Sequence, residues 1–78
     1  MINIYLLKDL ARRSGQSIYT IKYYLKLGLL KEFARSPETN FRFFDDAALE
    51  TLKTIRKMRL EGLSIKKIKE EMNNGKIR

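Results

Sequence analysis

Two tyrosines and two lysines recur at helical spacing in the first half of the chain. Lys22 and Tyr23 each lie three or four residues from Tyr19 and from Lys26, and no acidic residue lies among the four. On a helix they would share one face. Lysines bind phosphates and base edges, and tyrosine adds a hydroxyl group and an apolar ring. This face predicts contact with a nucleic acid; the alternative is a solvated helix surface that happens to be basic.

The helix that carries these side chains is predicted to span residues 17–28. Ser17 can accept a hydrogen bond from the backbone one turn in, and Gly28 can adopt the left-handed conformation that ends a helix. At 100° per residue the opposite face should be buried. It carries Ile18, Ile21 and Leu25, with Tyr24 on its flank.

A shorter helix is predicted just before it, from near Leu7 to Ser14, because the apolar residues there follow helical spacing. Gly15 can end this helix, so a turn of about three residues joins the two helices. That arrangement is typical of a helix-turn-helix, although other helical hairpins also turn on glycine. Further upstream, Ile2, Ile4 and Leu6 alternate with Asn3 and Tyr5, which predicts a short extended segment.

After Gly28 the helical period stops, and residues 31–35 and 41–44 flank a turn that contains Pro37 and Asn40. This pattern predicts a β-hairpin. Alternation places Phe41 and Phe43 on one side of the second arm, with Arg42 and Phe44 on the other. Arg42 would lie beside the helix 17–28, either to bind a phosphate or only to keep the hairpin soluble.

Two further helices complete the pattern. Asp45 caps the third helix, which Gly62 ends, and Ser64 caps the fourth. The apolar stripe of the third helix consists of Ala48, Leu49, Leu52 and Ile55, completed by Met58 or Leu60. The inner face of the fourth helix carries Ile65, Ile68 and Met72, and Asn73-Asn74-Gly75 stops the pattern.

The composition narrows the possible functions. The 78 residues include no Cys and no His, and 17 Lys and Arg stand against 9 Asp and Glu, a net charge of +8. We expect a single domain, residues 1–78, without disulfides, metal or cofactor and without enzymatic activity. The charge indicates a polyanionic partner. No apolar run is long enough to span a bilayer and no signal-peptide pattern opens the chain, so we expect a cytoplasmic, nucleoid-associated protein that does not bind membranes.

In this order, the elements resemble the amino-terminal winged-helix domain of the MerR superfamily of bacterial transcription regulators. The motifs that carry the resemblance run from about Ile4 to Met72. They are Leu10-Ala11-Arg12-Arg13-Ser14-Gly15, Lys22-Tyr23-Tyr24, Gly28-Leu29-Leu30, Asn40-Phe41-Arg42-Phe43-Phe44, Leu49 to Arg59, and Gly62-Leu63-Ser64 with Ile65 and Ile68. The resemblance implies a mainly α fold, a winged helix-turn-helix of four helices with a small β-hairpin wing.

The resemblance also implies how double-stranded DNA is bound. The helix 17–28 would enter the major groove, the wing of residues 30–44 would contact the backbone, and the turn before the fourth helix would form a second edge on the backbone. The implied DNA-binding residues are Arg13, Ser17, Tyr19, Thr20, Lys22, Tyr23, Tyr24, Lys26, Arg35, Arg42, Lys66 and Lys67. Because Arg35 and Arg42 lie on separate arms of the wing, we expect their contributions to add.

Several positions depart from the family pattern. Lys22 replaces the usual arginine, which predicts looser base readout because an ammonium group lacks the two-pronged geometry of a guanidinium. Leu25 stands where an acid is usual, and Asn40 replaces the glycine of the wing. Lys66 and Lys67 stand where acids are common at the start of the fourth helix, and there they oppose the helix dipole.

Regulators of this family usually continue into a dimerising helix and a sensor domain, whereas this sequence stops six residues after Met72. We therefore expect either a short member without a sensor or a domain from a longer chain. The 78 residues should be monomeric in solution, with cooperation only on DNA, whereas a longer chain with a coiled coil would be dimeric.

The leading prediction is a sequence-specific DNA-binding regulator of transcription. An excisionase-like protein that bends DNA for a recombinase would use the same residues. A protein-interaction module that has kept the fold is the alternative from another class, and it predicts no salt-dependent affinity for DNA.

Overall fold

The computed structural model describes residues 3–73, which form four helices and a three-stranded antiparallel sheet. In chain order the elements are β1 (Tyr5–Leu6), α1 (Leu7–Ser14), α2 (Ile18–Leu27), β2 (Ala34–Arg35), β3 (Arg42–Phe44), α3 (Asp46–Leu60) and α4 (Ile65–Asn73). The predicted winged helix-turn-helix is confirmed, and β1 adds one strand to the hairpin. Among these residues, no helix is both long and apolar enough to cross a bilayer.

The turn between α1 and α2 forms as its residue types predict. Gly15 ends α1 with a φ of 71°, and Gly28 ends α2 with a φ of 81°. Ser17 precedes α2, and its hydroxyl oxygen accepts a hydrogen bond from the backbone N–H of Thr20 at 3.1 Å. These local signals place both helix ends where the sequence predicted them.

Contacts with α3 hold this turn in place. The side-chain amide of Gln16 donates a hydrogen bond to the carbonyl oxygen of Leu52 at 3.2 Å. A guanidinium N–H of Arg56 donates to the carbonyl oxygen of Gly15 at 3.3 Å. The orientation of α2 is therefore tied to α3 by side chains from both partners.

The sheet has the strand order β1-β3-β2. Tyr5 pairs with Phe44 and Leu6 with Phe43 across β1 and β3, while Arg35 lies directly opposite Arg42 across β2 and β3. The extended segment predicted at the amino terminus is present from Tyr5. The side chain of Tyr5 lies on the buried side of this segment and is 8% exposed, because Tyr5 pairs with the fully buried Phe44. Ile4 is 49% exposed.

Asp46, the first residue of α3, ties that helix to the amino-terminal segment. Its carboxylate accepts hydrogen bonds from the hydroxyl of Tyr5 at 2.6 Å and from the side-chain amide of Asn3 at 3.0 Å. The bond from Tyr5, followed by that from Asn3, holds the pKa of Asp46 below its usual value. The same bond is the main reason that the pKa of Tyr5 lies above its usual value.

Every helix contributes to one apolar core. The fully buried side chains are Leu10, Ile21, Phe44, Leu52, Ile55 and Ile68. Ile21 is therefore confirmed as a core residue of α2, and Leu25 packs against the core while partly buried. Ile18 was expected in the core but is 41% exposed. It lies in the first turn of α2, where it lines a groove beside the wing and not the centre of the core.

The stripes of α3 and α4 are largely as predicted. Met58 packs against the core, whereas Leu60 is 79% exposed. Gly62 has a φ of 95° in the turn, and the hydroxyl of Ser64 accepts a hydrogen bond from the backbone N–H of Lys67 at 3.1 Å. The capping role of Ser64 is confirmed. Of the predicted stop at Asn73-Asn74-Gly75, the last two residues lie outside the described part of the chain.

Candidate nucleic-acid interface

The outer face of α2 carries the tyrosines and lysines singled out by their spacing. Tyr19 is 85% exposed and Tyr23 is 48% exposed. Lys22 and Lys26 are exposed on the same face. Because Ile21 anchors the helix from the other side, these four side chains are directed away from the core. The helix thus presents two cations, two hydroxyls and two aromatic rings to solvent.

Tyr24 does not belong to this face, which corrects its assignment as a DNA-contact residue. It is 6% exposed and belongs to the core. Position 24 lies three residues after Ile21, so the helical period returns it to the buried side. Its ring centroid lies 6.2 Å from that of Tyr23, which is 48% exposed, so a buried and a half-exposed tyrosine are neighbours on this helix.

Ser17 and Thr20 lie at the amino-terminal end of α2. The Ser17 hydroxyl donates a hydrogen bond to Thr20 Oγ1 at 2.9 Å and also accepts from the Thr20 backbone N–H. Both hydroxyls are thus engaged in the helix cap. Their position agrees with the predicted DNA-binding surface, but the hydrogen bonds that they form in the structure stabilise the end of α2.

Arg13 lies in the last turn of α1, and its guanidinium carbon is 5.4 Å from the centroid of the Tyr5 ring. This distance is within the range of a cation–π contact. Arg13 is exposed, so the ring restrains a charge that remains accessible. Its location on α1, outside the residues that line the groove between α2 and the wing, distinguishes it from the cations described next.

The two wing arginines share one carboxylate. Arg35 Nη2 lies 2.9 Å from Glu32 Oε1, and Arg42 Nε lies 3.4 Å from Glu32 Oε2. Since Arg35 and Arg42 are also directly opposite each other in the sheet, they are coupled neighbours. We had expected the contributions of Arg35 and Arg42 to DNA affinity to add; their contact predicts instead that these contributions are coupled. The wing turn itself uses Asn40, whose φ of 62° is a conformation that asparagine tolerates.

An open groove of about 670 Å³ runs between α2 and the wing. Its lining combines five cations, one carboxylate and two leucines: Lys22, Lys26, Lys31, Arg35, Arg42, Glu32, Leu25 and Leu30. The groove therefore brings the cations of α2 and of the wing to one surface. Such a concentration of one sign of charge favours an anionic partner such as the phosphate backbone of a nucleic acid.

Sequence reasoning missed some residues of this surface. Lys31 and Glu32 line the groove, and Ile18 and Phe41 line a second one of about 480 Å³ between α2, α1 and the wing. Phe41 is 58% exposed. Lys31 follows directly on the buried Leu29 and Leu30, a sequence signal that could have identified it. No local signal predicted that Glu32 would contact both arginines, since this depends on the hairpin register.

Lys66 and Lys67 lie exposed in the first turn of α4 and are not among the residues that line the groove. Lys67 Nζ is 3.8 Å from Glu71 Oε1, an ion pair one turn apart. The structure thus places them together, at the start of α4, on an element that packs against α3.

Comparison with known proteins identifies relatives of the whole winged-helix unit. A curated relative, heavy metal-dependent transcription regulator 2 of Rhizobium meliloti (strain 1021), is 34% identical over 62 residues, which are 80% of this chain and 42% of that protein. The crystal structure of HiNmlR, a MerR family regulator lacking the sensor domain and bound to promoter DNA, has a TM-score of 0.77 and 34% identity. It is matched over 87% of this chain and 51% of its own.

A second solved structure is PbrR691 from Ralstonia metallidurans CH34 in complex with lead(II), with a TM-score of 0.81 and 30% identity over 92% of this chain and 56% of that one. A MerR family regulator from Bacillus cereus, at 23% identity and a TM-score of 0.81, is alike in fold. The present chain spans about half the length of these relatives. Residues 5–75 match the model of the MerR HTH family regulatory proteins, and because this match extends over nearly the whole sequence, the chain belongs to the MerR family.

Proposed function

We propose that this chain binds double-stranded DNA at specific sequences and acts in the control of transcription. The observation that carries the proposal is the groove between α2 and the wing, where five cations and the exposed face of a helix-turn-helix meet. Membership of the MerR family supports it, as does the likeness to a family member bound to promoter DNA. A cytoplasmic, nucleoid-associated location is part of the same proposal.

In this proposal α2 reads bases in the major groove. The major groove of B-DNA is about 12 Å wide and admits an α-helix. Lys22 can donate to a guanine edge or to a phosphate, and the exposed rings of Tyr19 and Tyr23 can contact thymine methyl groups or donate through their hydroxyls. Lys26, one turn further along, extends the same face toward the backbone.

The wing contributes contacts to phosphates. Arg42 and Lys31 line the groove beside α2, so DNA seated on the helix would bring a backbone strand close to them. Contacts of this kind fix the register of the protein on the duplex but carry no sequence information. Base discrimination is therefore assigned to α2, while affinity is shared with the wing.

The test is selection of bound duplexes from a random pool, followed by titration of the selected duplex at increasing salt concentrations. About six phosphate contacts would lower the affinity on the order of a thousandfold between 50 and 200 mM salt. A selected motif together with this salt dependence is the expected result. An affinity that is weak and insensitive to salt would contradict the proposal and favour a protein-interaction module.

A matched pair of variants locates the surface. Lys22→Ala removes one cation from the groove between α2 and the wing. Lys53→Ala removes one cation from α3, outside that groove, where Lys53 Nζ lies 3.3 Å from Glu50 Oε2. Lys22→Ala should weaken binding to the selected duplex more than Lys53→Ala. Equal effects would mean that only net charge matters and that α2 is not the reading helix.

A further inference from the structure

Glu32 contributes the one carboxylate among the described residues that line the groove between α2 and the wing. It lies between Arg35 and Arg42, and we call these three residues the Glu32 bridge. Glu32 follows the buried Leu29 and Leu30 and precedes Phe33, whose backbone N–H donates to the carbonyl oxygen of Phe43 at 2.7 Å. Glu32 therefore lies between two buried leucines and the residue whose backbone hydrogen bond joins the two arms of the wing.

The two arginines are held unequally. Arg35 donates from Nε and Nη2 to Glu32 Oε2, at 3.3 and 3.1 Å, and from Nη1 to Asn40 Oδ1 at 3.4 Å. All three of its nitrogens thus have a partner inside the wing. Arg42 approaches Glu32 through Nε alone, and neither of its Nη groups makes a hydrogen bond to another of the described residues.

This asymmetry has a chemical consequence for any phosphate that approaches the wing. Arg42 can bind it with its Nη groups while keeping its contact to Glu32. Arg35 would first have to release the hydrogen bonds that its Nε and Nη2 donate to Glu32, and charge-assisted bonds of this kind are stronger than neutral ones. Because the side chains of Arg35 and Glu32 are 41% and 31% exposed, this pair is weakened by solvent and can open, but it competes with the phosphate.

We propose that Glu32 is a positioning residue that retains Arg35 within the wing and leaves Arg42 as the phosphate ligand, so that it lowers the sequence-independent affinity for DNA. This inference rests on the proposed function, since it concerns the same surface. On this inference, the number of wing cations that are available to bind phosphates depends on Glu32 as well as on the number of arginines.

The experiment measures binding of the full chain to a short duplex of random sequence, so no selected site is needed. Glu32→Gln removes the charge that holds Arg35, and Glu32→Ala also removes the acceptor. Both should raise the affinity roughly five- to tenfold near 100 mM salt, about the value of one added phosphate contact. The gain should shrink about three- to fourfold between 50 and 200 mM salt, because one more phosphate is neutralised.

Glu38→Gln is the matched control for charge. Glu38 is exposed in the wing turn and forms no ion pair with the described residues, so this variant changes the net charge equally without releasing an arginine. The decisive readout is a double-mutant cycle with Arg35→Gln. In that background the gain from the Glu32 variants should disappear, whereas the effect of Glu38→Gln should be the same as in the parent.

A gain that persists without Arg35, or an affinity that falls in both Glu32 variants while their thermal unfolding is unchanged, would overturn the inference. A parent protein that binds random DNA without salt dependence would instead overturn the proposed function. The two failures are therefore distinguishable in one set of titrations.

Discussion

Adjacent residues on α2 have different physical roles. Ile21 is fully buried and Tyr24 is 6% exposed, while Tyr19 is 85% exposed. Lys22 follows Ile21 directly in the chain but lies on the solvent side. Substitutions that differ by one position should therefore separate stability from binding.

The pair Ile21→Ala and Lys22→Ala tests this separation. Ile21→Ala removes a fully buried side chain and should cost about 2–5 kcal/mol of unfolding free energy, the range for truncating a core aliphatic residue. Lys22→Ala should leave the urea midpoint almost unchanged and weaken DNA binding. Urea unfolding and DNA titration of both variants provide the measurements. A large loss of stability in Lys22→Ala would mean that this lysine supports the fold.

The hydrogen bond between Tyr5 and Asp46 predicts how stability depends on pH. In the folded protein the pKa of Asp46 lies below its usual value of 3.8. The contribution of this carboxylate to the free energy of unfolding is therefore present above pH 3.8, and it is lost as the pH falls through the lowered pKa. The folded pKa of Tyr5 lies above 10.0, so its contribution is present below that pH and is lost as the pH rises further.

Tyr5→Phe removes the largest cause of the shift at Asp46 while preserving the ring. The variant should be less stable than the parent at neutral pH, and the difference should narrow as the medium becomes strongly acidic. Urea unfolding across the acidic range measures this. NMR titration of the Asp46 carboxyl should show its pKa rising toward the usual value, and an unchanged pKa would contradict the assigned cause.

At the scale of elements, α4 begins with two lysines at the positive end of its dipole. A positive charge there costs about 0.3–1 kcal/mol. Lys67 offsets part of this cost through its ion pair with Glu71, whereas Lys66 forms no ion pair with the described residues. The two lysines are therefore not equivalent for the stability of the helix, although the resemblance assigned them one role on DNA.

Lys66→Glu should raise thermal stability slightly, because it replaces an unfavourable charge. Adding Lys67→Glu should reduce or cancel that gain, since it also removes the ion pair between Lys67 and Glu71. If both lysines contact DNA, each change lowers the affinity. Lys69→Glu, an equal charge change further along α4, is the control for DNA titration. Equal losses of DNA affinity in the variants at positions 66 and 69 would mean that Lys66 and Lys67 belong to the solvated surface and do not contact DNA.

At the scale of the whole molecule, local signals predicted the helix ends. Gly15, Ser17 and Gly28 act within one turn of the backbone, so their effect can be inferred from sequence. The limits of the core could not be inferred in the same way. Helical period grouped Ile18 with Ile21 but could not show that the core ends between them, since that depends on where the wing packs.

Long-range pairing was the least predictable part of the site. The two arms of the wing were predicted, but their register brings Arg35 opposite Arg42, and this depends on a turn whose length the sequence did not determine. The third strand, β1, pairs with residues almost forty positions away. Such contacts follow from the assembled sheet, and so does the approach of Glu32 to Arg42.

The hydrogen bonds from Gln16 to Leu52 and from Arg56 to Gly15 have a consequence for the proposed binding of DNA. They connect the turn before α2 to α3, so they oppose any movement of α2, the helix proposed to read bases, relative to α3. In the proposed complex, a duplex whose base edges do not fit the position of α2 would therefore have to twist or bend. Sites with easily deformed base steps would then bind better at positions that no side chain touches.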